Sequence, residues 1–194
     1  MPDGGKRYGD GGLWGYNSAD LIGGAMGRRV FVPLLAIFLL GGCRHHHSFS
    51  GEREALTGAR AEAVSGEVRG FMQGVAQDIT RDGPTAWRRE FADTPAFFMA
   101  DEGHLIFADS ASATAGIQKL PAMIKTIELR WGDDLRVDPL TRDFAVVGTT
   151  YHETRVDPAG KRTEESGYFT GVVEYRNGRW EIRDAHWSVA GPGV

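Results

Sequence analysis

The chain has 194 residues, of which 41% are hydrophobic and 25% are charged, and its formal net charge is −4. This composition is typical of a globular protein and argues against a disordered or fibrous one. The acidic balance provides no basic stripe, so nucleic acid is not an expected partner.

A short apolar run lies near the N-terminus. Residues 30–40 carry no polar side chain, but a span across a bilayer needs roughly 20 apolar residues. Two arginines precede the run and two glycines follow it. A basic start, a short apolar centre and small residues at the end are typical of a cleaved secretory signal peptide, which we expect to cover residues 26–42.

Cys43 is the only cysteine of the chain and directly follows the expected cleavage site. The segment Leu40-Gly41-Gly42-Cys43 resembles a bacterial lipobox, which implies export, acylation of Cys43 and a stable lipid anchor in the cell envelope. Arg44 differs from the aspartate that is associated with inner-membrane retention. We therefore expect the periplasmic side of the outer membrane where the host has both membranes. The alternative is an ordinary signal peptide followed by a chance cysteine.

Three further segments flank the signal and the domain. Residues 1–25 are glycine-rich and have no apolar period, so we expect them to be disordered or to precede a true start at Met26. Residues 43–51 are interpreted as a tether and residues 191–194 as a tail. Adjacent histidines in a flexible tether make a poorly ordered metal site, and we expect neither a metal nor a cofactor.

Hydrophobic periodicity predicts three helices in the first half of the domain. The first covers residues 52–82 and ends at a Gly-Pro pair. A short second helix carries Trp87 and Phe91 on one face. The third covers residues 112–126, where Pro121 should kink or restart it.

Strand patterns occupy the rest of the domain. A tight hairpin is predicted over residues 97–107, between the second and third helices. Longer strands follow at residues 128–138, 143–156, 161–176 and 179–190. Helices followed by a long antiparallel meander predict a single α+β domain over residues 52–190.

The last two strands resemble those of a known superfamily. They contain Gly167-Tyr-Phe-Thr-Gly171, Arg176-Asn-Gly-Arg-Trp180-Glu-Ile182 and Ala185-His-Trp-Ser188. An aromatic strand, a turn followed by a basic residue and Trp, and a closing His-x-Ser resemble the final hairpin of SnoaL-like domains in the nuclear transport factor 2-like superfamily. The resemblance implies a cone, in which a curved antiparallel sheet wraps a long N-terminal helix and two shorter ones around an apolar pocket. Relatives include isomerases, cyclases, dehydratases and pure binding proteins, so the fold alone does not assign a function.

The Asn177-Gly178 turn is expected to fix the register of this last hairpin. Alternation from the turn places one apolar face inside the cone, and that face ends in three polar residues. Opposite two of them stand Gly167 and Gly171, which have no side chains and are expected to leave room for a pocket. The three polar residues are Asp184, His186 and Ser188.

Asp184 and His186 are the candidate acid–base residues. Alternate residues of a strand are about 6.5–7 Å apart, so together with Ser188 they are poorly placed for the short hydrogen bonds of a triad. Acid–base chemistry by one residue remains open, because burial raises the pKa of an aspartate and histidine titrates near neutrality. The structural alternative is that the two side chains satisfy each other or the buried backbone.

The expected pocket is lined by aromatic and polar side chains, namely Trp87, Phe91, Phe97, Tyr151, His152, Phe169 and Ser188. The turn after Tyr151 and His152 does not fix their register, so the sequence leaves open which of the two faces inward. On the outer face, Tyr168, Thr170 and Trp187 form an apolar patch that predicts a homodimer. The alternative is that the C-terminal tail covers Trp187.

Three functions are compatible with these features. The first is a membrane-anchored lipoprotein whose pocket binds a small apolar or amphipathic molecule without catalysis. The second is an enzyme of the isomerase, cyclase or dehydratase kind, with Asp184 or His186 as general acid–base. The third is a protein-interaction module that acts through the outer face of the sheet.

Overall fold

The structure is a computed structural model that describes residues 56–190, so the predicted signal peptide, Cys43, the tether and the tail lie outside the described residues. Its elements are α1 (Gly58–Asp82), α2 (Trp87–Glu90), β1 (Phe98–Asp101), β2 (His104–Phe107), α3 (Ser110–Ile117), β3 (Thr126–Trp131), β4 (Arg136–Pro139), β5 (Phe144–Val156), β6 (Arg162–Arg176) and β7 (Arg179–Val189). The α+β class with one long and two short helices is confirmed. Within this part of the chain, no helix is long and apolar enough to cross a membrane.

The long helix α1 is amphipathic and packs one stripe against the sheet. Its buried residues recur every three or four positions and are Val64, Val68, Met72, Val75 and Ile79. The helix ends at Gly83, which adopts a φ of 82° and donates its backbone N–H to the carbonyl of Ile79 at 3.0 Å. Glycine adopts this conformation without a steric penalty, and the predicted helix end is confirmed.

The third helix is shorter than predicted. A capping box begins α3: the Ser112 N–H donates to the Asp109 carboxylate at 2.7 Å, and the Asp109 N–H donates to the Ser112 hydroxyl at 3.1 Å. The helix stops at Ile117, and Pro121 lies in a separate 3-10 turn, Leu120–Ala122. The expected restart at the proline is therefore observed.

The seven strands form one mixed sheet in the order β2-β1-β7-β6-β5-β3, with β4 also paired to β5. The expectation of a wholly antiparallel sheet is wrong, because β1 pairs parallel to β7. The predicted strand over residues 128–138 is two strands. The Asp134 carboxylate interrupts it by accepting hydrogen bonds from the N–H and hydroxyl of Thr150 at 2.9 and 2.7 Å.

A one-residue bulge in β7 changes the face on which its second half lies. The pairing follows the predicted register from the turn as far as Val173 with Ile182, but Val172 then pairs with Asp184. Arg183 is the extra residue, and such an insertion moves every later side chain to the opposite face. The predicted register is therefore wrong beyond Ile182.

Aromatic rings fill the concave side of the sheet, which α1 covers. Trp187 is 1% exposed and stands at the centre of this group. Its ring centroid lies 4.7–5.7 Å from those of Trp87, Trp131, Tyr151 and Phe169. The apolar part of the interior is thus packed by the protein's own side chains.

Candidate functional site

The three polar residues predicted to line the pocket lie on the outer face of the sheet. Asp184 and Ser188 are half-buried and His186 is exposed. The Ser188 hydroxyl donates to the carbonyl of Tyr168 at 3.2 Å, and His186 Nδ1 lies 3.5 Å from the Thr170 hydroxyl. The prediction that Asp184, His186 and Ser188 line the interior is wrong, and the bulge in β7 is the reason.

The predicted aromatic pocket residues are part of the packed core. Trp87, Phe91, Phe97 and Phe169 are all buried. Trp87 stacks on Phe91 at a centroid distance of 5.3 Å, and Phe91 lies 4.9 Å from Phe97. These four side chains therefore belong to the packed core and do not line an open pocket.

The structure shows which of Tyr151 and His152 faces inward. Tyr151 pairs with Gly167 and is buried, whereas His152 is exposed with its Nδ1 2.9 Å from the Ser166 hydroxyl. Tyr151 belongs to the interior, so the prediction that His152 lines it is wrong.

The space beside the two strand glycines is occupied by neighbouring atoms and is not empty. A Cβ on Gly167 would lie 2.8 Å from the Tyr151 ring, and a Cβ on Gly171 would lie 2.8 Å from the Phe169 ring. The expectation that these glycines open a pocket is therefore wrong, because each admits an aromatic ring of a neighbouring residue.

The outer patch retains two of its three predicted members. Tyr168 is 38% exposed, and Thr170 is exposed beside it. Trp187 lies in the core, so its predicted role at a dimer contact is wrong, and so is the alternative that the tail covers it on the surface.

Several ionisable side chains lie in the interior next to Tyr151. Glu153 and Arg155 follow it on β5, Glu165 faces Glu153 from β6, and Asp101 comes from β1. All three carboxyl groups are buried, and Glu153 is 0% exposed. We call these five residues the ionisable cluster. Sequence reasoning missed it, although the alternation Tyr151-x-Glu153-x-Arg155 was a visible signal that these side chains share one face.

Arg155 and Tyr151 hold the cluster together. The Arg155 Nη2 donates to Glu165 Oε2 at 2.7 Å, and the Tyr151 hydroxyl donates to Glu165 Oε1 at 2.9 Å. Both oxygens of Glu165 are therefore satisfied. The Arg155 Nε lies 3.0 Å from Glu153 Oε1, but neither oxygen of Glu153 makes a hydrogen bond with a described residue.

Burial raises the pKa of Glu153 to about 8, against the pull of Arg155 and with added repulsion from Glu165 and Asp101. The carboxyl group is therefore mostly protonated at neutral pH. Burial and the charge of Glu165 also raise the pKa of Tyr151, which stays a neutral hydrogen-bond donor. A buried carboxyl that titrates near neutrality can bind a polar group or exchange a proton.

A second buried polar group borders the cluster. Trp187 pairs with Asp101 across β7 and β1, and its ring meets that of Tyr151 edge-on at 4.8 Å. Its indole N–H has no hydrogen-bond acceptor among the described residues. Leaving such a group unsatisfied costs about 1–3 kcal/mol, so its retention in the interior requires a physical reason.

A groove of about 660 Å³ runs between α1 and β3 next to the cluster. Gln73 and Thr80 line it from α1, and Leu129 and Trp131 line it from β3. Leu129 is the cross-strand partner of Glu153, and Trp131 is the partner of Tyr151. The groove therefore reaches the strand that flanks the cluster. Over residues 56–190, no three His, Cys, Asp or Glu side chains are grouped so as to hold a metal ion.

Comparison with known proteins shows the fold and leaves the activity open. No protein-family model matches the chain, and a search of curated proteins finds no match. A nuclear transport factor 2-like superfamily protein from Salmonella enterica has a TM-score of 0.58 at 17% identity, over 69% of this chain and 96% of its own. A protein of unknown function from Shewanella oneidensis gives 0.51 at 17%, over 64% and 98%. A hexachlorocyclohexane dehydrochlorinase from Novosphingobium barchaimii gives 0.54 at 10%, over 70% and 92%. The chain has the nuclear transport factor 2-like fold.

Proposed function

We propose that the domain binds a small amphipathic molecule whose polar end meets the ionisable cluster. The observation that carries this proposal is Glu153, a wholly buried carboxyl group whose oxygens make no hydrogen bond with the described residues. Buried polar groups are nearly always paired in folded proteins. A ligand that supplies the missing hydrogen bond accounts for the retention of such a group in the interior.

The surroundings of the cluster suit the apolar part of such a molecule. Trp131 is half-buried and lines the groove, and its ring lies 5.2 Å from Phe169 and 5.7 Å from Trp187. An apolar body can therefore lie against Trp131 in the groove, and we place the polar end of the molecule at Glu153 on the neighbouring strand.

Native mass spectrometry of the full chain tests this proposal. The wild type is compared with Glu153→Gln and with a matched control, Glu164→Gln, which changes an exposed carboxylate on β6 that lies outside the groove. We expect a bound small molecule on the wild type and the control and its loss from Glu153→Gln. The proposal is contradicted by an empty wild type whose melting temperature no member of an amphipathic ligand library raises.

A second candidate function is proton transfer on the bound molecule. The observation that favours it is the pKa of about 8 at Glu153, because a general acid works best when its pKa lies near the working pH. Isomerisation and elimination both need such a group, and two solved structures of the same fold are named as hexachlorocyclohexane dehydrochlorinases. Turnover of the molecule identified by mass spectrometry, with a pH–rate profile that Glu153→Gln abolishes, would establish the enzyme. Unchanged turnover in Glu153→Gln would exclude this role.

We also propose that the chain is exported, that a lipid on Cys43 anchors it in the cell envelope, and that two copies associate through the patch around Tyr168 and Thr170. The support for the anchor is the lipobox-like segment, and the support for the association is the exposed aromatic side chain of Tyr168 on the outer sheet face. A protein partner on this same face is the third function that the sequence leaves open.

A further inference from the structure

The charges of the ionisable cluster disfavour an anionic ligand. Arg155 is the one guanidinium of the cluster, and both Glu165 and Glu153 already contact it, at 2.7 and 3.0 Å. Asp101 adds a negative charge that reaches Glu153, because repulsion from it contributes to the raised pKa there. An anion at Glu153 would therefore meet net repulsion in a low-dielectric interior.

The unused hydrogen-bonding capacity of Glu153 points in the same direction. Neither oxygen of Glu153 makes a hydrogen bond with the described residues, and once the carboxyl group is ionised it can only accept hydrogen bonds. The rings of Tyr151, Trp187 and Trp131 lie against one another beside the cluster, and the π face of an aromatic ring attracts cations and repels anions. A positively charged donor satisfies both features.

We propose that the ligand of this site, given the binding function proposed above, is an organic cation with N–H donors, such as an amine, amidine or guanidine on an apolar body. Its charged group pairs with the carboxylate of Glu153, and its body lies against Trp131 in the groove. A charge-assisted pair of this kind forms stronger hydrogen bonds than a neutral pair.

Binding of the cation is coupled to release of a proton. A fixed positive charge beside Glu153 stabilises its carboxylate over its neutral form. The proton leaves the carboxyl oxygen of Glu153 for the solvent as the cation enters, and no other bond changes. Near pH 7, this amounts to close to one proton for each cation bound.

Isothermal titration calorimetry of the full chain with three probes of one shape tests the proposal: benzamidine as the cation, benzamide as the neutral molecule and benzoate as the anion. Titrations in buffers of different ionisation enthalpy count the protons released. We expect benzamidine to bind at least about tenfold more tightly than benzamide at pH 7, to release about one proton, and to bind more tightly as the pH rises from 6.5 to 9. Benzoate should bind most weakly.

Glu153→Gln should lower the affinity for benzamidine to that for benzamide and remove the proton release, whereas Glu164→Gln should change neither. Equal binding of benzamide and benzamidine by the wild type would overturn the cation preference and leave the binding function standing. Benzamidine binding that is unchanged in Glu153→Gln would also overturn it. If all three probes fail and the wild type is empty in mass spectrometry, the binding function itself fails. If Glu153→Gln does not fold, absence of proton release by the wild type overturns the inference.

Discussion

At the scale of single residues, Glu153 is a carboxyl group that the fold keeps neutral. Its pKa is about 8 in the folded protein, against 4.5 for the ordinary side chain. Between these two values the folded state holds a proton that the unfolded state has lost. The free energy of unfolding contributed by Glu153 is therefore greatest below pH 4.5 and falls as the pH rises towards 8, by up to about 1.4 kcal/mol per pH unit.

Glu153→Gln should remove this pH dependence, because the amide resembles the neutral carboxyl group and does not ionise. We expect the variant to gain stability relative to the wild type by about 3 kcal/mol between pH 5.5 and pH 8.5. Urea unfolding of both proteins at the two pH values measures the difference, and Glu164→Gln is the control for loss of a surface charge. A difference that is independent of pH would show that Glu153 ionises normally in the folded protein.

A site residue could be predicted from the sequence only where the local pattern determines on which face of its strand the side chain lies. The alternation in β5 puts Tyr151, Glu153 and Arg155 on one face, but the face that points inward depends on the loop to β6. In that loop, the Asp157 side chain accepts from the backbone N–H of Lys161 at 2.9 Å, and Val156 pairs with Arg162. The conformation of this loop sets the register between β5 and β6, which the sequence left open.

At the scale of elements, β6 and β7 depend on close approach at Gly167. A Cβ there would lie 1.9 Å from the backbone carbonyl oxygen of Ser188, a contact that only movement of a strand can relieve. At Gly148, the nearest atom to an added Cβ is the hydroxyl of Tyr168 at 3.0 Å, the end of an exposed side chain that can move. The two glycines can therefore be compared directly, because an added Cβ meets backbone at Gly167 and a movable side chain at Gly148.

Gly167→Ala should destabilise the protein by about 1–3 kcal/mol through overpacking, whereas Gly148→Ala should change its stability by no more than about 0.5 kcal/mol. Urea unfolding of both full-length variants measures the two effects. Equal effects would show that the two strands adapt to a side chain at Gly167 and that its close approach is not required.

The same strands show why elements are easier to predict than their pairing. The bounds of β5, β6 and β7 agree with prediction to within a residue or two, because strand composition and turn residues are local signals. The extra residue at Arg183 has no such local signal, since nothing in its neighbours distinguishes it from an ordinary strand position. The parallel pairing of β1 with β7 is equally hidden, because it joins segments that are far apart in sequence.

At the scale of the whole molecule, the outer sheet face should join two copies of the chain. Tyr168→Glu places a charge in the centre of the exposed patch and should convert a dimer into a monomer, because an unpaired charge is costly to bury. Sedimentation velocity of the full chain measures the mass. Leu105→Glu, at an exposed apolar residue on β2, is the control and should leave the dimer intact. A wild type that sediments as a monomer would contradict the homodimer.

The position of the whole molecule in the cell is proposed to depend on Cys43. If this cysteine is the acylated residue, cells fed a labelled palmitate analogue should incorporate the label into the wild type and not into Cys43→Ser. The variant lacks the acyl chains of Cys43, and a stable anchor requires more than one acyl chain or a further membrane signal. It should therefore also lose stable membrane attachment. Ser48→Ala, a change of similar size in the tether, is the control and should keep both the label and the membrane fraction. Label that is absent from the wild type, or equal in the wild type and Cys43→Ser, would leave the apolar run of residues 30–40 as an ordinary signal peptide followed by a chance cysteine.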